Sequence, residues 1–174
     1  MIVKKLYKKI ALLLAAILVV TLLWFSGLNK LYAHVLTFTT NSLLSIAGRV
    51  SNIQITEQEG SSVFIVHTVL DGQQATYPLA YETLLLPTIM MLSWVAFTPW
   101  FRKRAAAIRS SLIVFLLFLT YQVVFFLLLT AYYTSATASF FYDVMQDGFY
   151  IVALGIFFID NLTDPVFSIN QGKA

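Results

Sequence analysis

From Ser110 to Tyr133 the chain reads SSLIVFLLFLTYQVVFFLLLTAYY, without a single Asp, Glu, Lys or Arg. A run of about 24 such residues exceeds the roughly 20 that an α-helix needs to cross a hydrocarbon core of about 30 Å. A water-soluble globule has no use for it. Composition agrees: 59% of the residues are hydrophobic and only 11% charged, where a soluble domain carries about 25% charged residues. The chain is short enough for one membrane domain over residues 1–174, and its lack of cysteine excludes disulfides, thiol catalysis and Cys-ligated metals.

Three further apolar segments accompany this one. The first covers about 10–27 and follows Lys4, Lys5, Lys8 and Lys9. Its apolar core is longer than that of a signal peptide, and LNKLY after Gly27 offers no small-residue cleavage site, so it reads as an uncleaved anchor. The second covers 83–101 and the third 110–133; between them stand Arg102, Lys103, Arg104 and Arg109. Both basic clusters mark the cytoplasmic side, and their position beside apolar segments argues for topology signals and not for a nucleic-acid surface. The fourth, at 137–159, carries Asp143, Gln146 and Asp147 in its outer half, where carboxylates belong at headgroup level or facing the bundle interior. Trp100 and the Tyr132–Tyr133 pair fall where interfacial aromatic belts are expected. The expected architecture is an all-α membrane bundle of four transmembrane helices, with both termini in the cytoplasm of a bacterial inner membrane.

Residues 28–82 form the one long polar insertion, on the extracytoplasmic side. From Leu31 to Ala47 apolar residues recur at helical steps, which predicts an amphipathic helix stopped by Gly48. From Asn52 to Tyr77 the period falls to two, in NIQIT, SSVFIVHTV and QATYPL, with turn residues in QEGSS and at Asp71-Gly72. These segments predict a three-stranded β-meander between the first two spans, packed on the helix or the bundle because a sheet this small is marginal alone.

No catalytic set assembles from these residues, and no cofactor or metal is expected. His34 and His67 are isolated, one on the surface helix and one in a strand. Asp143 and Asp147 lie one helical turn apart and so share a face, a spacing open to a metal or proton path but more simply read as lining the outer mouth of the last span. Glu82 sits where a helix dipole favours an acid. Gln122, with Thr120, is the polar side chain in the third span, too little to line a transport path. Asn161-Leu162-Thr163 matches a glycosylation triplet on the predicted cytoplasmic side, where it has no use.

The order QEGSSVFIVHTVLDGQQATYPLAYETLLLPTIMMLSW, FRKRAAAIR, the third span and FFYDVMQDGFYIVALGIFF, over Gly60 to Ile159, resembles the second half of an exosortase. Exosortases are polytopic membrane enzymes that process C-terminal sorting signals in bacteria. The resemblance implies an active-site Cys at the outer end of a span, where this chain has Ala80, Tyr81, Glu82 and Thr83. An Asn-x-x-Arg site would fall near Tyr121 and Gln122, where no Arg follows. A His would stand at Tyr142 and Asp143, ahead of Asp147-Gly148, where the Gly alone is kept. The implied relative is therefore non-catalytic, similar to the small exosortase H-associated membrane proteins. Its expected function is that of an accessory or scaffold subunit of a protein-sorting or envelope-assembly system. Its expected partners are the lipid bilayer and another integral membrane protein or a second copy, with no nucleic acid. The competing expectations are a membrane-embedded enzyme using Glu82 or the Asp143/Asp147 pair, and a subunit of a transport complex.

Overall fold

Lysine and arginine are good helix formers, and here the N-terminal lysines and Arg104 and Arg109 lie within helices, while Arg102 and Lys103 stay in a short connection. Helix α1 spans Ile2–Leu23 and includes the N-terminal lysines; α4 spans Arg104–Thr130 and takes in Arg109, so the basic connection is cut to residues 101–103. The expected third span, 110–133, is thereby moved toward its basic end. The last helix, α5, spans Ala136–Thr163 and runs past the expected end at 159 to include Asp160. The structure is a computed structural model that describes residues 2–58, 61–70 and 73–167, with side chains outside 2–5, 58, 61 and 80–84.

After α1, a π-helical turn at Trp24–Leu28 leads into α2, Asn29–Ile46. Gly27 breaks the helical path there with φ 122°, a conformation open to glycine and rarely to other residues. At its other end α2 stops as expected at Gly48, φ 65°. The Arg49 amide donates to the Leu44 carbonyl and the Gly48 amide to Ser45, the two bonds of a Schellman cap.

The meander forms with strands β1 (Asn52–Gln58), β2 (Ser61–Leu70) and β3 (Gln73–Ala80), antiparallel in the order β1-β2-β3. Asp71-Gly72 and the Glu59-Gly60 part of the first turn lie outside the described residues. Register follows from one side chain. Asn41 on α2 accepts from the Ile53 amide at 2.9 Å and donates to the Ile53 carbonyl at 2.8 Å, so these backbone groups point away from β2. Ile53 opposes Val66 and Val66 opposes Tyr77. With alternate residues turning their backbone groups to opposite sides, Pro78 directs its missing N–H outward, the place where a strand tolerates proline.

Helix α3 covers Tyr81–Phe97, leaving β3 without a loop, and a 3₁₀ turn at Thr98–Trp100 ends it. Among the described residues three helical stretches are long and apolar enough to cross a membrane: Leu6–Ile46, Arg104–Thr130 and Ala136–Thr163. At 17 residues, with Pro87 inside it, α3 falls short of them. Pro87 cannot donate to the residue 83 carbonyl.

The chain divides into two compact units. Met1–Ser26, Pro87–Phe118 and Tyr150–Ala174 make the first; Gly27–Leu86 and Leu119–Phe149 make the second. Two of the divisions fall at Gly27 and Pro87, where helical hydrogen bonding is interrupted. In the first unit a ring cluster forms the core: Trp94 stacks on Phe157 at 5.2 Å and Phe97 on Phe167 at 5.6 Å. In the second, Phe64 of β2 meets Phe126 of α4 edge-on at 4.9 Å, and Phe125 packs on Tyr142 and Phe149 of α5. The sheet thus packs on both α2 and α4.

Sheet side chains also complete the end of α4. A helix leaves its last four carbonyls without intrahelical partners. Here the Leu127 carbonyl accepts from the Thr130 hydroxyl and Leu128 from the Ala131 amide. Leu129 accepts from the Tyr132 amide and the Tyr77 hydroxyl, and Thr130 accepts from the Thr68 hydroxyl at 3.1 Å. All four are satisfied.

Candidate functional site

The most concentrated chemistry lies in the first unit, at the junction of α3, the 101–103 connection, α4 and α5. The 3₁₀ turn at Thr98–Trp100 turns the chain so that Arg102 enters the interior, its side chain only 2% exposed. Its Nη1 donates to Asp160 Oδ1 at 3.1 Å and Oδ2 at 2.8 Å, and its Nη2 to the Asp160 main-chain carbonyl at 2.9 Å. Nε and Nη2 also reach the Asp164 carbonyl, and Nε lies 3.2 Å from the Asp164 carboxylate. Asp160, 10% exposed, accepts further bonds from the Trp94 indole at 2.7 Å and from the Ser110 hydroxyl. Arg102 in turn donates to Ser110. Every oxygen of the buried carboxylate is occupied, the condition under which a buried charge is tolerated. Nearby, the Lys9 ammonium donates to the Val166 carbonyl and lies 5.6 Å from the centre of the Phe101 ring.

Beside this network a groove of about 410 Å³ opens between α4 and α5. Its walls are apolar, from Ile113, Val114 and Leu117 on one helix and Ile156 and Ile159 on the other, and one end is polar, with Arg109, Ser110, Thr163 and Asp164.

Hydropathy and charge make Arg102 a topology marker and end the fourth span at 159, one residue short of Asp160, so the pair is not visible from them. The available signal was an acid closing an apolar run that ends on the side already marked by arginines. Trp94 likewise is a buried donor that hydropathy alone does not reveal.

The sequence-derived positions are spread out. In the second unit Gln122 is 1% exposed and accepts from the Tyr32 hydroxyl across α4 and α2. Tyr142 is buried against Phe125 at 4.5 Å and meets Tyr132 edge-on at 5.1 Å. Asp143 is exposed on α5. Asp147 is exposed, one turn on. The Glu82 side chain lies outside the described residues, on the first turn of α3. Gln122, Tyr142 and Asp143 therefore share one unit without converging on one point. Among the described residues no group of three His, Cys, Asp or Glu is placed to hold a metal ion.

Tyr77, Tyr133 and Tyr132 form a chain of edge-on rings, 5.3 and 5.0 Å between successive centres. Burial, reinforced by Tyr133 and Tyr142, pushes the Tyr77 hydroxyl up to about 12 from its ordinary value of 10.0. The hydroxyl is a neutral donor to the Leu129 carbonyl at any physiological pH.

Compared with protein-family models, curated proteins and solved structures, the chain matches none.

Proposed function

We propose that this chain is an integral membrane accessory or scaffold protein of an exosortase-type protein-sorting or envelope-assembly system. It works by helix packing against another membrane protein or a second copy. The observation that carries the reading is how the polar side chains at the helix contacts are used. Arg102, Asp160, Ser110 and Trp94 bond to one another, and Tyr32 bonds Gln122, so their hydrogen-bonding capacity goes into holding helices together. Large apolar side chains such as Leu18, Leu22, Ile151, Leu154 and Phe158 point outward along α1 and α5. Such faces suit lipid and partner helices.

In this reading the chain crosses a bacterial inner membrane four times. The 17 residues of α3 and the three of its 3₁₀ turn extend about 25 Å and about 6 Å, together near the thickness of the hydrocarbon core. The positive-inside rule, applied to the lysines at 4–9 and the cations at 102–109, supports a cytoplasmic side for both termini and the α3–α4 connection. Reporter fusions at residue 106 and after the last helix test the topology, with cytoplasmic signals expected at both.

The partner is tested by mild-detergent affinity purification from the native membrane. Recovery of a defined membrane protein or of a dimer supports the scaffold, and recovery of monomer alone overturns it. Alanine at Glu82, Asp143 and Asp147 separates it from an enzyme: lost phenotype at normal abundance points to chemistry, and unchanged phenotype to packing.

A further inference from the structure

We propose that the groove between α4 and α5 in the first unit is a binding site for an anionic phospholipid, with the phosphate on Arg109 and an acyl chain along the apolar walls. The inference rests on the transmembrane placement proposed above and is independent of the protein partner. Ile113 and Leu117 are four residues apart and so line one stripe of α4, and Ile156 and Ile159 present a second stripe across the groove. Those walls lead directly to the polar end, the amphipathic profile of a lipid and not of a soluble ligand.

Charge decides the headgroup. Two aspartates stand at that end, and both face Arg102. The Asp160 oxygens are occupied by Arg102, Ser110 and Trp94, and the Asp164 carboxylate lies 3.2 Å from Arg102 Nε. Among the described residues no carboxylate comes within ion-pair distance of Arg109, of Arg104 at the start of the same helix, or of Lys103 just ahead of it, and all three are exposed. This end of α4 therefore carries uncompensated positive charge next to an apolar track. Guanidinium matches phosphate geometry, and basic pockets between transmembrane helices on the cytoplasmic side take anionic headgroups.

The test reconstitutes the full chain in bilayers of equal phosphatidylglycerol and phosphatidylcholine, extracts it in mild detergent and quantifies the lipids that stay bound. Phosphatidylglycerol should be enriched over the bulk ratio. Arg109→Gln should cut that enrichment about fivefold, the effect of one basic side chain at a membrane surface, and Arg109→Lys should keep most of it. Leu117→Trp fills the acyl track and should lower retention of both lipids; Ile113→Trp probes the same wall should the first variant fail to fold. Bulk lipid composition on the wild-type protein, or unchanged enrichment in Arg109→Gln, overturns the proposal. So does displacement of the lipid by inorganic phosphate alone, which would mark an anion site without an acyl track. Because reporter fusions read topology separately, a failure here is distinguishable from a failure of the transmembrane reading.

Discussion

Arg102 and Asp160, 58 residues apart, are joined by a guanidinium that contacts both oxygens of the carboxylate and also the main-chain carbonyl of the same residue. One side chain thereby ties the entry of α4 to the end of α5. Removing one partner leaves the other charged and buried, whereas replacing both removes the need for compensation.

Arg102→Ala and Asp160→Ala should each destabilise the protein by about 3–5 kcal/mol. The double variant Arg102→Met/Asp160→Leu should lose far less than the sum. Thermal unfolding in detergent, followed by circular dichroism, measures both, and strictly additive losses would count against the coupling.

Tyr32 and Gln122 form the corresponding link in the second unit. Interhelical hydrogen bonds in membrane proteins average about 0.6 kcal/mol and reach about 1.7. A cycle of Tyr32→Phe, Gln122→Leu and the double variant should give a coupling energy in that range. The phenylalanine variant keeps the ring, so packing is preserved.

Gly148 on α5 faces the Tyr121 hydroxyl, 3.3 Å from where a Cβ would stand, and that hydroxyl donates to the Met145 carbonyl. Gly148→Ala gains helix propensity and meets only a movable side-chain end, so its effect should stay within about 1 kcal/mol. Gly148→Leu must displace Tyr121 and should cost about 1–3 kcal/mol. Equal stability of the two variants would remove the close approach.

Tyr77 gives a pH dependence. Its hydroxyl is raised in the folded state from 10.0 to about 12, so its contribution to stability is fully present below pH 10. Above that the unfolded chain ionises first, and the contribution is lost progressively as pH rises toward 12. Stability should decline over this window more steeply in the wild type than in Tyr77→Phe, which cannot ionise but starts lower for want of the bond to Leu129. Parallel curves would show that Tyr77 is not the titrating group.

Periodicity exposed the elements that bury one face. The amphipathic helix, its stop at Gly48 and the three strands were all legible because side chains on a half-buried element alternate in kind with a fixed step. Span limits were less legible. Lys and Arg mark a membrane boundary without ending a helix, so α4 starts at Arg104, ahead of the position that hydropathy alone indicates. The Arg102–Asp160 pair was hidden for a different reason. A cation near an apolar segment satisfies the topology rule wherever its side chain goes, and only the turn at Thr98–Trp100 sends this one inward. Of the polar positions read from the sequence, Gln122 and Tyr142 are buried and bonded or packed, whereas Asp143 and Asp147 stay at the surface.

The Asn41 side chain occupies, on the margin of β1, the two backbone groups that a neighbouring strand would use, and Pro78 leaves a gap on the margin of β3. Neither border can therefore act as an unbroken template for strands of other molecules. A small sheet rich in Val and Ile is in this way kept from growing into intermolecular ladders at high local protein concentration.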